Sequence, residues 1–311
     1  MEQRPVDYVD PLIDTGKPHI QWVFSASACC PFGMVRLSPD TDRSGTWGTG
    51  YRYFSERIQC FSHVHGWQLS GLPVMPVSGV PSEVPTPETT ASRFSHDKET
   101  AEAGYHAVHL HDHAIDAELT ATTRVGLHRY TFPETGENTL LFFLGADIGP
   151  SSMSDTYATP VGDREIEGYV ENAPTIRRPK ASPVYFVARF CSPFQSFYGW
   201  QNDRFSEENM KPVQGEETGC MISWQETENN TISMKVGISY VSVEQARLNL
   251  ETEADHLDFD AAREETQQLW NNHLKRIEVE GGHPVDCKEF YPDRWRTLIG
   301  GYLTSDVNGK Y

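Results

Sequence analysis

From about residue 5 to residue 250 the chain is a succession of short apolar or alternating runs broken by Gly, Pro, Asn and Asp. That rhythm restricts the fold more than any other feature, because runs of strand length bounded by turn residues cannot build long helices. The clearest runs are "GMVRLSP", "AVHLHDHAIDAELTAT", "RVGLHRYTF", "NTLLFFLGA", "PVYFVARF", "GCMISW" and "TISMKVGISYVS". In the last, Ile232, Met234, Val236, Ile238 and Tyr240 fall on alternate positions, the period of a strand buried on one face. Strands at this spacing predict a large two-layer antiparallel sandwich.

The pattern changes near residue 255. "LDFDAAREETQQLWNNHLKRI" contains no Gly or Pro and is rich in helix formers, which predicts a helix over about 258–277. Asp258 suits its N-cap, Lys275 and Arg276 suit its C-terminal dipole, and Leu269, Trp270, Leu274 and Ile277 form its expected apolar stripe. A short strand, "EVEG", is expected next. "DCKEFYPDRWRTLIGGYL" then reads as a helix interrupted at Pro292. The expected division is 1–254 for the β-domain, 255–282 for the linker helix and strand, and 283–311 for the start of a helical domain. A chain stopping there, at Tyr311, is expected to be the front of something longer, with Trp295, Leu298 and Ile299 left uncovered.

The formal net charge of −18 argues against a nucleic-acid partner, since a phosphate backbone would be repelled. No stretch approaches the ~20 apolar residues of a membrane span. "MEQRPVDYVD" lacks an apolar signal core. Cys29, Cys30, Cys60, Cys191, Cys220 and Cys287 show no metal-type spacing and read as reduced thiols. The expected location is therefore cytoplasmic, or outside the cell if a leader has been removed.

Two groups of histidines carry possible chemistry. His109, His111 and His113 alternate in "HLHDH"; on a strand they would share one face, either as a transition-metal set or as a solvent-facing polar stripe. His63 and His65 lie in "FSHVHGWQLSG" among Ser62, Trp67, Ser70 and two glycines. Aromatic faces beside convergent hydrogen-bonding groups suit a neutral sugar; the plainer reading is sandwich core. "SGTWGTGYRY", with Trp47, Tyr51 and Tyr53, has the same mixture. "SDVNG" has the sound of a calcium loop without the full pattern.

Taken in order, "PFGMVRLSPDT", "GYRY…FSHVHGWQLSG", "ELTATTRVGLHRYTFP", "KVGISYVSVEQARLNLETE", "DFDAAREETQQLWNNHLKRIEVEGG" and "SDVNGKY" resemble the N-terminal part of glycoside hydrolase family 92, the calcium-dependent exo-α-mannosidases. The resemblance runs from about Val6 to Tyr311. It implies an antiparallel β-supersandwich of the galactose-mutarotase type, a linker helix and the beginning of an (α/α)6 barrel. It implies inverting hydrolysis of terminal α-mannosides by an acid and a base working across a water, with calcium on the sugar hydroxyls. The implied partners are an α-mannoside or N-glycan-derived oligosaccharide and the helical catalytic domain of the same polypeptide.

Family acid, base and most calcium ligands lie in the barrel, so no catalytic carboxylate carries over, and these 311 residues alone are expected to be inactive. What carries over is a sugar-pocket wall: Trp47 before "GYRY", and Ser62, His63 and His65 in the family's "FSHxHxSG" string, with Trp67 beside them. Trp47, His63 and His65 are expected to cluster and to be partly exposed. The chain departs from the family where "FSHTHLSGTG" is replaced by "FSHVHGWQLSG", and where "IGTGG…FPGA…PFGM" is replaced by "IDTGKPHIQWVFSASACCPFGM". The rival readings are a stand-alone carbohydrate-binding sandwich and a purely structural domain.

Overall fold

The computed structural model describes residues 3–16, 26–43, 50–66, 68–134, 136–149, 151–225, 228–281 and 283–311. Two antiparallel sheets face each other. One runs in the order Ser38–Asp40, Cys60–Ser62, Val74–Ser78, Asn138–Phe142, Thr218–Trp224, Ser196–Gln201, Arg204–Phe205. The other runs Val213–Gly215, Met153–Val161, Glu165–Asn172, Ser182–Phe190, Thr231–Ser239, Val125–Thr131, Ile115–Ala121, Tyr105–Leu110, Glu99–Glu102. Between them Phe61, Tyr130, Phe142, Phe186, Phe197 and Trp224 are fully buried. Burying such rings at ~1.5–3 kcal/mol each supplies much of the driving force. This is the expected antiparallel supersandwich.

The alternation of Ile232, Met234, Val236 and Ile238 holds, with all four buried. At its far end this strand is covered on both faces. The first helix, α1 (Val243–Glu253), lies across its outer side. Gly237 allows that approach, since a Cβ there would stand 2.5 Å from the Ala246 carbonyl oxygen. The sequence reading carried the strand through Ser242 and missed α1. The signal was present: Ser242 accepts a hydrogen bond from Gln245 N as N-cap, and Ser followed three residues later by Gln marks a helix start.

The second helix, α2 (Phe259–Leu274), begins at the expected cap, with the Asp258 carboxylate accepting from Ala261 N at 2.8 Å. Asp258→Ala should lower stability by about 1 kcal/mol, read by chemical denaturation, without changing the sheets. The apolar stripe is Phe259, Ala262, Thr266, Trp270 and Leu274. Leu269 and Ile277 do not belong to it and are 36% and 50% exposed. One lies ~100° round from Trp270; the other follows the helix end.

No strand forms over 278–281. The third helix, α3 (Pro284–Gly300), is not interrupted at Pro292. Its ring removes one intrahelical bond. Burial of Tyr291, Trp295 and Ile299 against α2, Val6 and Val9 offsets that loss. Trp295 and Ile299 are therefore covered within the chain, 0% and 3% exposed, rather than left uncovered.

Candidate functional site

The edge strand Ser38–Asp40 pairs with Cys60–Ser62 so that Asp40 stands opposite Cys60. Its carboxylate accepts from the Ser62 hydroxyl, from Cys60 Sγ at 3.2 Å and from His65 Nε2 at 2.7 Å. His65 Nδ1 lies 2.7 Å from the Arg36 carbonyl oxygen. Both ring nitrogens therefore face oxygens, a carboxylate on one side and a backbone carbonyl on the other. Burial, and then the Asp40 charge, push the Cys60 thiol well up. Gly50, at φ +99°, is needed here: a Cβ would sit 1.9 Å from Asp40 Oδ1.

His63 belongs to a second chain of contacts. Its Nδ1 is 2.8 Å from the Leu72 carbonyl oxygen and its Nε2 is 2.8 Å from His128 Nε2. His128 Nδ1 is 2.6 Å from the Tyr130 hydroxyl. One assignment satisfies every atom: Tyr130 donates to His128, His128 donates to His63, and His63 donates to Leu72. Both rings are then neutral, and burial drives them that way, His63 down to about 4 and His128 well below its ordinary value.

The expectation of partial exposure fails for the histidines. Ser62 and His63 are 0% exposed and His65 3%, because their polar atoms are occupied by partners between and beside the sheets. Trp47 and Trp67 lie outside the described residues. His109, His111 and His113 do not share one strand face, since the strand ends at Leu110 and the other two fall in the turn after it. Each has its own partner: Asp116 for His109, Ser95 for His111 and the Thr90 carbonyl for His113.

A third cluster supports "GYRY". The buried Glu99 carboxylate accepts from the Tyr51 hydroxyl at 2.9 Å, from His96 Nδ1 at 2.6 Å and stands 2.9 Å from His106 Nε2. Burial alone would raise Glu99; the bonds from His106, His96 and Tyr51 outweigh it and leave it lowered. His96 also stacks on Tyr53 at 3.9 Å between centroids and bonds its carbonyl. Tyr53 and Phe54 line a cleft of about 450 Å³ with Asp10, Leu12, Ile13, Asp14 and Gly16.

The helix α3 is also tied to the sandwich. Arg36, 6% exposed, donates to the carbonyls of His65 and Ile299 and lies 4.5 Å from the centre of the Tyr302 ring. A cation at the last carbonyls complements the helix dipole. "SDVNG" is a clasp of the same kind: buried Asp306 accepts from Ser239 Oγ at 3.0 Å and Asn249 Nδ2 at 2.7 Å. Its carboxylate is thus engaged by the protein. The described residues contain no group of three or more His, Cys, Asp or Glu side chains able to hold a metal ion. Calcium, implied by the resemblance, has no such side-chain group to bind among the described residues.

Residues 8–239 match the glycosyl hydrolase family 92 N-terminal domain, and residues 245–311 match the family 92 catalytic domain. The chain belongs to glycosyl hydrolase family 92. A family GH92 alpha-mannosidase from Bacteroides thetaiotaomicron superposes on 99% of this family 92 chain and 43% of its own, with a TM-score of 0.87 and 26% identity. The structure of that enzyme in complex with mannoimidazole gives 0.86 and 25%, over 98% of this chain and 41% of its own. An uncharacterized secreted glycosidase of Arthroderma benhamiae is 23% identical over 332 residues, which is 94% of this chain and 41% of the relative. The family 92 chain thus spans less than half the length of these relatives.

Asp40, Glu99, His106, His128 and Arg36 were not among the candidate residues. For His128 a signal existed, since Gly126, His128 and Tyr130 alternate on one strand face. A Cβ at Gly126 would lie 2.9 Å from the His63 ring, so that glycine makes room for it. Nothing in the sequence links Asp40 to His65 or Glu99 to Tyr51.

Proposed function

We propose that this chain is the sandwich portion of an exo-acting, inverting α-mannosidase, working with a helical catalytic domain of the same polypeptide on α-mannosides or N-glycan-derived oligosaccharides. The single observation that carries the reading is the superposition of 99% of the chain on an α-mannosidase. The division at 254 and 282 is proposed with it. Trp47 and Trp67 are proposed as sugar-facing rings. Ser62, His63 and His65, being buried, are proposed as the support that fixes the wall behind them. A sandwich of this kind holds the sugar in place and excludes water from its unreactive side. The acid and the base of the reaction are supplied by the helical domain. A cytosolic location, or an extracellular one where a leader is removed, is proposed with it; the fungal relative is described as secreted.

A polypeptide carrying this chain with a complete family 92 helical domain should release mannose from aryl α-mannosides, with β-mannose as the first-formed anomer by NMR. The 311 residues alone should release none. Release of a different sugar, or of α-mannose first, would refute the reading.

A further inference from the structure

An arginine and an aspartate are buried where α3 ends, and neither has an ion-pair partner among the described residues. Arg36 is 6% exposed and Asp306 2%. The Arg36 guanidinium bonds backbone carbonyls, those of His65 and Ile299, and the Asp306 carboxylate takes its side-chain bonds from Ser239 and Asn249. Such a group loses its water with no opposite charge to replace it, and burial accordingly pushes the Arg36 guanidinium below its ordinary value. Attaching the helix does not require this, because α3 already buries Tyr291, Trp295 and Ile299 in one cluster with Trp270, Leu274, Val6 and Val9. Apolar contact is non-directional, however, and packed helices can shift by a whole turn. The two polar anchors add direction. Arg36 pins Ile299 near the C-terminal end of α3. Asp306 pins the chain where it returns to the sandwich, and there Val307 N bonds Asn249 Oδ1 at 3.0 Å and Arg124 Nε bonds the Ser305 carbonyl at 2.7 Å.

From this geometry we infer that Arg36 and Asp306 are positioning residues, which fix one orientation of α3, and so of the helical domain that begins with it, against the part of the sandwich that carries His65. Arg36 makes the link directly. Its carbonyl oxygen lies 2.7 Å from His65 Nδ1, and its guanidinium lies 3.4 Å from the His65 carbonyl oxygen while also holding Ile299. One guanidinium is thus shared between the wall and α3. The planar fork of arginine suits this use, since a lysine ammonium is a single point donor on a flexible stem. The inference rests on the proposed division into a sandwich wall and a catalytic helical domain, and adds to it what aligns the two. A site assembled from two domains needs them in register, because a misplacement of about 1 Å can cost roughly 100-fold in rate.

The test measures orientation separately from stability. One spin label goes on the exposed Cys191, just after the sandwich strand Ser182–Phe190. The other goes on α3 through Val285→Cys, at a position 58% exposed, with Cys287→Ser removing the half-buried thiol nearby; the remaining cysteines are buried. Electron–electron double resonance on the 311-residue chain should give one narrow distance in this parent background. In Arg36→Met and in Asp306→Ala the distance should shift by about 5 Å, the pitch of one helical turn, or broaden by as much, in samples frozen from the folded state. Arg36→Lys should fall between. A parent-like distribution in both variants, with only a lower melting temperature, would overturn the inference, since the two residues would then hold α3 without aiming it. Should Arg36→Met not fold, Arg36→Lys and Asp306→Asn carry the same comparison, and a parent-like distance in both overturns it equally. In a polypeptide with the complete helical domain, Arg36→Met should lower kcat on aryl α-mannosides by up to about 100-fold, with KM changed far less. Unchanged kcat beside a shifted distance would overturn the link to the site. Absence of mannoside hydrolysis by the parent polypeptide would remove the mannosidase reading, and the distance measurement would still decide the orientation.

Discussion

Asp40→Ala should destabilise the sandwich more than any other single change at the described polar residues, by about 3–5 kcal/mol. The carboxylate is wholly buried and takes hydrogen bonds from Ser62, Cys60 and His65. Removing it leaves a buried imidazole with an N–H and no acceptor, and a buried hydroxyl and thiol deprived of theirs. Each unmet buried group costs about 1–3 kcal/mol. At roughly 2–4 °C per kcal/mol for a domain of this size, the melting temperature should fall by about 10 °C. The penalty should be strongly non-additive. His65→Leu removes the stranded donor, so Asp40→Ala with His65→Leu should lose less than the sum of the two single changes. A melting temperature within about 1 °C of the parent for Asp40→Ala would refute the pair's role.

Stability should also fall on mild acidification, before the carboxylates titrate. His63 is neutral in the folded chain, pushed from 6.5 down to about 4 by burial, then by the neighbouring His65, with the Leu72 carbonyl and Asp40 opposing. His128 shifts in the same direction. The geometry accounts for it: a second proton on His63 would set two N–H groups head to head across 2.8 Å with no acceptor between them, and one on His128 Nδ1 would meet the Tyr130 hydroxyl that donates to it. Unfolded histidine takes its proton near 6.5, whereas the folded ring holds out to about 4, so the unfolded state binds more protons between those values. The stabilising contribution is thus complete above 6.5 and is lost as the pH falls toward 4. By pH 5 the loss from His63 should reach roughly 2 kcal/mol, with His128 adding to it. Denaturant titrations at pH 7.5, 6 and 5 measure the slope, and His63→Gln should flatten it. Equal slopes for parent and variant would show that His63 binds its proton equally in both states.

The supersandwich was legible because a one-sided strand writes its burial into a period of two: Ile232 to Ile238 alternate in the sequence and are buried in the structure. The start of α2 was legible because a cap acts over three residues, Asp258 on Ala261. The family could be recognised because its strings occur in order along the chain. What failed was decided at longer range. The α3 helix runs through Pro292 because Trp295 meets Trp270, 25 positions earlier in the chain, at 5.9 Å. "FSHVHGWQLSG" reads equally well as pocket or as core, because a histidine beside small residues has no local preference between solvent and a buried partner. For His65 the choice was made by Asp40, and for His63 by His128, 65 positions away. Local propensity and pattern are fixed by neighbours in the chain. Whether a polar side chain faces solvent or sits in the interior depends on whether the fold brings it an acceptor, and here only the packing of the two sheets and the return of α3 supplied one.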